Sequence, residues 1–335
     1  MPVFTREFGV DLGSMNIVIV EGNQVLLQEP TVVAIVVQEQ KMVEWGQSAK
    51  DMMGRVPDTI EVLRPMQHGV IAEYEVTEKL LGFLIKKVSG PMPFFRPRIM
   101  ITVPFGVTSV ESRAVHEAGI GAGSRDVYMI QQPLAAALGV DLPIATPSGN
   151  MILCMGGGTV QAAVLAMNGI VSGETARTGG LRLDEAIILY VRKKYGIIIG
   201  QPTAEQLKLR IGAGVPQEQQ QIMEVQGQDQ VSGLPRPVSL TTDDIVEALQ
   251  DPLNEVANTA RRVLEKTPPE LISDIIDRGV ALCGGGALLR GIDKYLTKAL
   301  GIPAYQVDAP TTCTAIGAAR ALRIRDVLRR SLLPV

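Results

Sequence analysis

Two segments of the chain repeat one unit: an apolar run, a glycine-led turn and a second apolar run. Phe8-Gly-Val-Asp-Leu-Gly13 is followed by Ile17–Val20, and Ile152-Leu-Cys-Met-Gly156 by Ala162–Leu165. The leading glycines, Gly13 and Gly156, lie 143 residues apart. Apolar runs of this length broken by glycine read as strand, tight turn, strand. A duplicated unit in 335 residues, more than one core comfortably serves, implies two like halves with a cleft between them. A third turn, Gly284-Gly-Gly-Ala287, follows the apolar run Val280–Cys283. Glycine after a strand lets backbone N–H groups approach an anion closely. Three such turns point to a phosphate-bearing ligand. None carries the Gly-Lys-Ser/Thr of a P-loop or the dinucleotide fingerprint, so the ligand belongs to another nucleotide fold.

Strand and helix patterns alternate along the remainder, the mark of an α/β protein. Val25–Leu27 and Val32–Val37 are expected to extend the first antiparallel sheet, with further strands at Arg98–Pro104 and Val127–Ile130. Helical spacing covers Val76–Val88, Ser109–Gly119, Pro133–Leu138, Leu183–Lys194, Ala204–Ile211 and Thr241–Glu265. In the last of these Thr241 is placed to cap the helix N-terminus. Thr314–Arg330 reads as one amphipathic helix with five arginines, and the glutamine run Gln217–Gln221 as a solvated hairpin or loop edge. The net charge of −3 argues against a nucleic-acid binder held by a basic surface. No apolar run reaches membrane-spanning length, and the start of the chain lacks a signal-peptide pattern. Cys154, Cys283 and Cys313 are odd in number and lie in apolar or glycine-rich surroundings. They suit a reducing compartment and have no metal-ligand spacing.

These motifs together make the chain resemble the MreB family of bacterial actin-like proteins over nearly its whole length. The matching stretches include Gly9-Val-Asp-Leu-Gly13, Glu29-Pro-Thr-Val-Val-Ala34, Gly156-Gly-Gly-Thr159, Glu265-Lys-Thr-Pro-Pro-Glu-Leu271 and Gly284-Gly-Gly-Ala-Leu-Leu-Arg-Gly291. The resemblance implies an actin-like α/β fold of two RNase-H-like domains around a nucleotide cleft. Residues 1–145 with 315–335 would form the first, carrying a small subdomain near 30–65. Residues 146–314 would form the second, with a small subdomain near 180–241. It implies ATP or ADP with Mg²⁺, and filaments on the inner membrane face that help set cell shape and organise wall synthesis. The family's phosphate loops fall on Gly13, Ser14, Met15 and Asn16, and on Gly156, Gly157, Gly158 and Thr159. Its adenosine-side segment falls on Glu205, Gln206, Leu207 and Lys208, and its third glycine turn on Gly284, Gly285, Gly286 and Ala287. Asp11 matches the aspartate that holds magnesium through water, since a carboxylate beside a triphosphate needs a cation between them.

The departures cluster around one phosphate position. Cys154 stands where the family usually has aspartate, and a thiol does not serve a hard cation. Gln131-Gln132-Pro133 replaces Glu-Glu-Pro, so the residues expected to orient water are neutral amides that cannot take its proton. Actin itself has a glutamine in that region. Leu181 and Arg182 replace two acids, and Val160-Gln161 replaces Thr-Glu. Arg182 either supplies cationic charge to phosphate or faces solvent. Losses so concentrated imply a pseudo-ATPase or a slowed one. An active ATPase with dynamic filaments is the alternative, and a sugar kinase or chaperone-type ATPase of the same superfamily the third reading.

Ser89–Arg98 contains three prolines, with Met92, Phe94 and Phe95 flanked by Lys86, Lys87, Arg96 and Arg98. An apolar loop tip ringed by cations suits an anionic membrane surface, and the corresponding loop of the resembled family inserts in the membrane. The alternative folds the aromatics back onto the domain.

Overall fold

A computed structural model describes residues 6–90 and 96–333. The first half contains β1 (Glu7–Leu12), β2 (Asn16–Glu21), β3 (Gln24–Pro30), β4 (Val33–Val36), β5 (Lys41–Trp45), α1 (Gln47–Asp51) and β6 (Ile60–Leu63). It continues through β7 (Met66–Gln67), β8 (Val70–Ile71), α2 (Tyr74–Ser89), β9 (Arg98–Val103), α3 (Ser109–Gly121), β10 (Asp126–Gln131) and α4 (Gln132–Gly139). The second half contains β11 (Asn150–Met155), β12 (Val160–Ala166), β13 (Gly169–Ala176), α5 (Gly180–Tyr195), β14 (Ile197–Ile198), α6 (Gln201–Ile211), β15 (Ile222–Asp229) and β16 (Pro235–Thr241). It ends with α7 (Thr242–Glu265), α8 (Pro269–Arg278), β17 (Val280–Cys283), α9 (Ile292–Leu300), β18 (Ala304–Gln306) and α10 (Cys313–Arg323).

The duplication is exact in topology. One five-stranded sheet runs β10-β9-β1-β2-β3 and the other β13-β12-β11-β17-β18. In each, three strands form an antiparallel meander and two more join in parallel on the side of its first strand. The inner parallel strands, β9 and β17, are apolar almost throughout, as strands covered on both faces must be. Small sheets, β5-β4-β6 and β14-β15-β16, decorate the two halves. Val33–Val36 therefore does not extend the first large sheet as its composition led one to expect. The chain leaves that sheet at Pro30, which offers no N–H, and Val33 pairs with Trp45 and Leu63 instead.

Two outer cores lie on the far faces of the large sheets. A third, between the sheets, combines Met100 and Ile130 with Ile152, Ala163 and Ala281. Helices α4 and α10 fill that middle layer and cross in close contact. Glycines allow the approach: a Cβ on Gly317 would stand 1.7 Å from Ala135 O, and one on Gly139 1.9 Å from Cys313 O. Helix α10 stops at Arg323 rather than running to Arg330, and the following segment continues as turns. Thr241 caps α7 as expected, in a capping box with Asp244.

Candidate functional site

The β1–β2 and β11–β12 turns meet head on. Each is closed by the same bond: Gly13 N–H donates to Asn16 O at 3.2 Å, and Gly156 N–H to Thr159 O at 2.8 Å. The Met15 side chain lies on Gly157, where a Cβ would come within 2.0 Å of its Cγ. Ser14 Oγ lies 2.4 Å from the Cβ position of Gly158. Only glycine fits there. The β7–β8 hairpin clamps the junction, because Gly69 N–H donates to the buried Ser14 Oγ at 2.8 Å. Helix α5 starts against the second turn, with Gly180 N–H on Gly156 O and Leu181 N–H on Gly157 O.

These turns floor a cleft of about 660 Å³, a volume typical of small-ligand sites. Asp11, Gly13–Asn16, Gln132, Gly156–Thr159, Glu205, Lys208 and Gly284–Gly286 all line it. Gly284 has φ +82° and donates its N–H to Pro310 O at 2.7 Å, and no atom lies within 4 Å of the Cβ position of Gly285. The third turn thus presents bare backbone to the cleft. Gln131, Cys154, Gln206, Leu207 and Ala287 do not line it. Leu207 and Ala287 are core residues, and Gln206 points outward. These positions serve the turns and helix that carry the lining residues. The sequence reading missed Gly69, Gly212, Arg290 and Thr314 in the wall. Arg290 donates to Gly212 O and Arg210 O at 3.1 Å, closing the end of α6 against the third turn. Its neighbouring glycines were visible in the sequence, but its partner carbonyls lie some 80 residues away.

Asp11 is the carboxylate at the floor. Its Oδ1 accepts from Thr102 Oγ1 at 2.5 Å and from Gln132 Nε2 at 3.1 Å. Burial pushes its pKa up, and those two hydrogen bonds pull it part of the way back. Cys154 occupies the equivalent place in the second half, two residues before Gly156, and Cys283 occupies that of Thr102. Their sulfurs lie 3.2 Å apart in the middle core. A thiol pair thus stands where the first half carries a carboxyl group and its donor. The Cys283 thiol is held well above its usual range, first by its contact with Cys154 and further by burial.

Across the cleft, Lys50 of α1 in the first half bonds Glu205 of α6 in the second at 2.9 Å. Lys208 lies 2.6 Å from Asp184 and donates to Gly180 O at 2.9 Å. Burial raises the Asp184 pKa to about 6, against the pull of Lys208. Arg182 is exposed, pairs with Glu185 at 2.9 Å and is absent from the cleft wall; of its two readings, the structure supports solvent.

Met92, Phe94 and Phe95 lie outside the described residues. Of their cationic flanks, Arg98 is bonded to Asp126 at 2.9 Å and Lys87 to Glu29 at 3.2 Å. Arg96 and Lys86 are exposed. Among the described residues no helix is long and apolar enough to cross a membrane. Among them, too, no group of three metal-ligating side chains forms a cage.

Two equivalent α/β halves meeting at paired glycine turns, with the third turn above, define an actin-like protein. Solved structures agree. MreB 5 of Spiroplasma citri bound to AMPPNP matches with a TM-score of 0.92 at 30% identity, over 98% of this chain and 99% of that one. The same protein bound to ADP gives 0.91 at 30%, over 96% and 97%. The cell shape-determining protein MreB of Pasteurella multocida (strain Pm70) is 45% identical over 334 residues, 97% of this chain and 95% of the relative. The MreB/Mbl protein family model matches residues 5–330, and the chain belongs to that family.

Proposed function

We propose that this chain is a nucleotide-binding cytoskeletal subunit. It binds ATP or ADP in the cleft, stacks head to tail into filaments on the cytoplasmic face of the inner membrane, and helps determine cell shape and organise wall synthesis. The observation that carries this reading is the junction of two glycine turns over a single buried carboxylate. Backbone N–H groups there offer the phosphates an uncharged cradle. The nucleotide-bound state of the S. citri neighbour supports it, as does the cell-shape role in the name of the P. multocida relative. Residues 1–145 with 315–335 make one domain and 146–314 the other, a division supported by the packing of α10 on α4 and β1.

Mg²⁺ fits Asp11. Among the described residues no protein donor reaches Asp11 Oδ2, and Mg²⁺ takes one or two carboxylates while keeping most of its waters. When bound, the cation neutralises phosphate charge. The chain's own residues do the rest. The turns orient the phosphates, Lys208 and Glu205 line the adenosine side, and Thr102 and Gln132 fix the Asp11 carboxylate. Gln132 is an amide and cannot accept a proton from water, and Cys154 lies outside the cleft wall, which supports slow hydrolysis. Membrane attachment falls to Met92, Phe94 and Phe95, with Arg96 free to meet headgroups and Arg98 already committed to Asp126.

Sedimentation with Mg-ATP, with and without anionic liposomes, tests the whole reading. Filaments should pellet with nucleotide, and Phe94→Ser with Phe95→Ser should abolish liposome binding while leaving polymerisation intact. A chain that stays monomeric at every protein and salt concentration overturns the filament reading. Phosphate release as fast as that of an ordinary dynamic family member overturns slow hydrolysis.

A further inference from the structure

The amides around Asp11 form a chain with a direction, and we propose that Gln161 is a positioning residue that holds Gln132 with its nitrogen, not its oxygen, toward Asp11 and the cleft. The inference rests on the nucleotide reading above and deepens it.

Groups that allow no choice set the direction. The backbone N–H of Phe105 can only donate, and it meets Gln161 Oε1 at 2.8 Å. Gln161 therefore turns Nε2 the other way, where it donates to Gln132 Oε1 and reaches Thr159 Oγ1 at 3.3 Å. Gln132, its oxygen engaged, turns its own Nε2 to Asp11 Oδ1 at 3.1 Å. That oxygen also accepts from Thr102 Oγ1, so it meets Gln132 as an acceptor. A fixed donor at one end and a fixed acceptor at the other leave each amide one orientation. Reversing either amide alone would bring N–H against N–H or oxygen against oxygen. Gln161 is 1% exposed, so water does not compete for these bonds.

This polarity bears on the cleft chemistry. Gln132 lines the cleft and Gln161 does not. A water beside Gln132 meets an N–H, which engages one of its lone pairs and offers its protons no acceptor. A carboxylate at position 161 would reverse this. One oxygen keeps the Phe105 N–H, and the other demands an N–H from Gln132, so the Gln132 amide flips, gives up its bond to Asp11 Oδ1, and turns its oxygen off that carboxylate toward the cleft. Two side chains then act as a switch for hydrolysis, and the buried member sets it without touching the nucleotide.

The test uses the full chain labelled with ¹⁵N at glutamine, as wild type, Gln161→Glu and Gln161→Met. The Gln132 side-chain amide signal is followed without nucleotide, and ADP affinity and single-turnover phosphate release are then measured. Gln161→Glu should move the Gln132 signal, leave ADP affinity within about threefold, and raise phosphate release roughly tenfold or more, below the range of a full general base. Gln161→Met, which keeps the chain length but has neither amide group, should speed exchange of the Gln132 amide protons and leave phosphate release low. A Gln132 signal unchanged in both variants overturns the proposal. So does a moved signal in Gln161→Glu with unchanged phosphate release. Failure of wild type to bind ADP would instead overturn the nucleotide reading, while the amide signals would still decide the direction of the chain.

Discussion

Replacing Gln132 by glutamate asks whether the floor of the cleft tolerates a second charge. The Gln132 nitrogen lies 3.1 Å from Asp11 Oδ1, so a glutamate there puts two carboxylates in contact. Unit charges about 4 Å apart at an effective dielectric near 20 repel by about 4 kcal/mol. That is enough to hold one carboxyl of the pair protonated well above the ordinary carboxylate range, since each pH unit is worth about 1.4 kcal/mol. The folded pair then holds a proton that the unfolded chain releases near pH 4. A raised folded-state pKa gives stability that is complete below about pH 4 and lost as pH rises through that raised value. Gln132→Glu should therefore match wild type near pH 4.5 and fall short by up to about 4 kcal/mol at pH 8. Urea midpoints measured across that range without nucleotide read the difference. Mg-ADP should return part of it at pH 8, because a cation between the carboxylates removes the repulsion. A variant whose stability runs parallel to wild type from pH 4.5 to 8 would refute the contact between Gln132 and Asp11.

Other outcomes follow from contacts already described. Gly317→Ala places a Cβ 1.7 Å from Ala135 O, so α10 must move off α4; a loss on the order of 3 kcal/mol should show in thermal unfolding. Gly285→Ala meets no atom within 4 Å, so stability should hold while the methyl fills the cleft and weakens ADP binding in titration calorimetry. Lys50→Ala removes the bond to Glu205 across the cleft, so ADP should dissociate several-fold faster in stopped-flow with stability changed by less than about 1 kcal/mol. The Asp184 pKa is raised to about 6, so wild type loses stability as pH rises from about 4 through 6. Asp184→Asn should flatten that fall in pH-dependent denaturation, and an unchanged slope would count against the buried charge.

Local signals carried the sheets and the turns. The apolar runs at Phe8–Leu12, Ile17–Val20 and Val280–Cys283 are strands because nothing else accommodates continuous burial on both faces, and the glycines between them mark the turns that line the cleft. Family resemblance placed Asp11, Glu205 and Lys208 in the wall, which periodicity alone does not reach. What stayed hidden depends on partners far along the chain. Val33 pairs with Trp45 and Leu63 rather than with β3, a choice its own composition does not encode. β13 alternates partly exposed residues and gave no apolar run to read. Arg182 stood open between phosphate and solvent, and its pairing with Glu185, one helical turn on, decides for solvent. Gln161 passed as a lost acid; its role comes from Phe105 N–H, 56 residues earlier, and from Gln132.

The position of α10 also sets an order on folding. Its small residues close the face of β1, where a Cβ on Gly9 would come within 2.2 Å of Ala315 O, and they pack on α4. All of β1–β10 and α1–α4 leave the ribosome some 170 residues before Cys313 does. During synthesis the first half therefore waits with one sheet face and an alanine-rich helix bare, while the second half can already close its outer core. Non-local closure of this kind slows folding and leaves apolar surface open to aggregation. A nascent chain halted before α10 emerges is thus the species most in need of a chaperone, and its first lobe becomes protease-resistant only after the second.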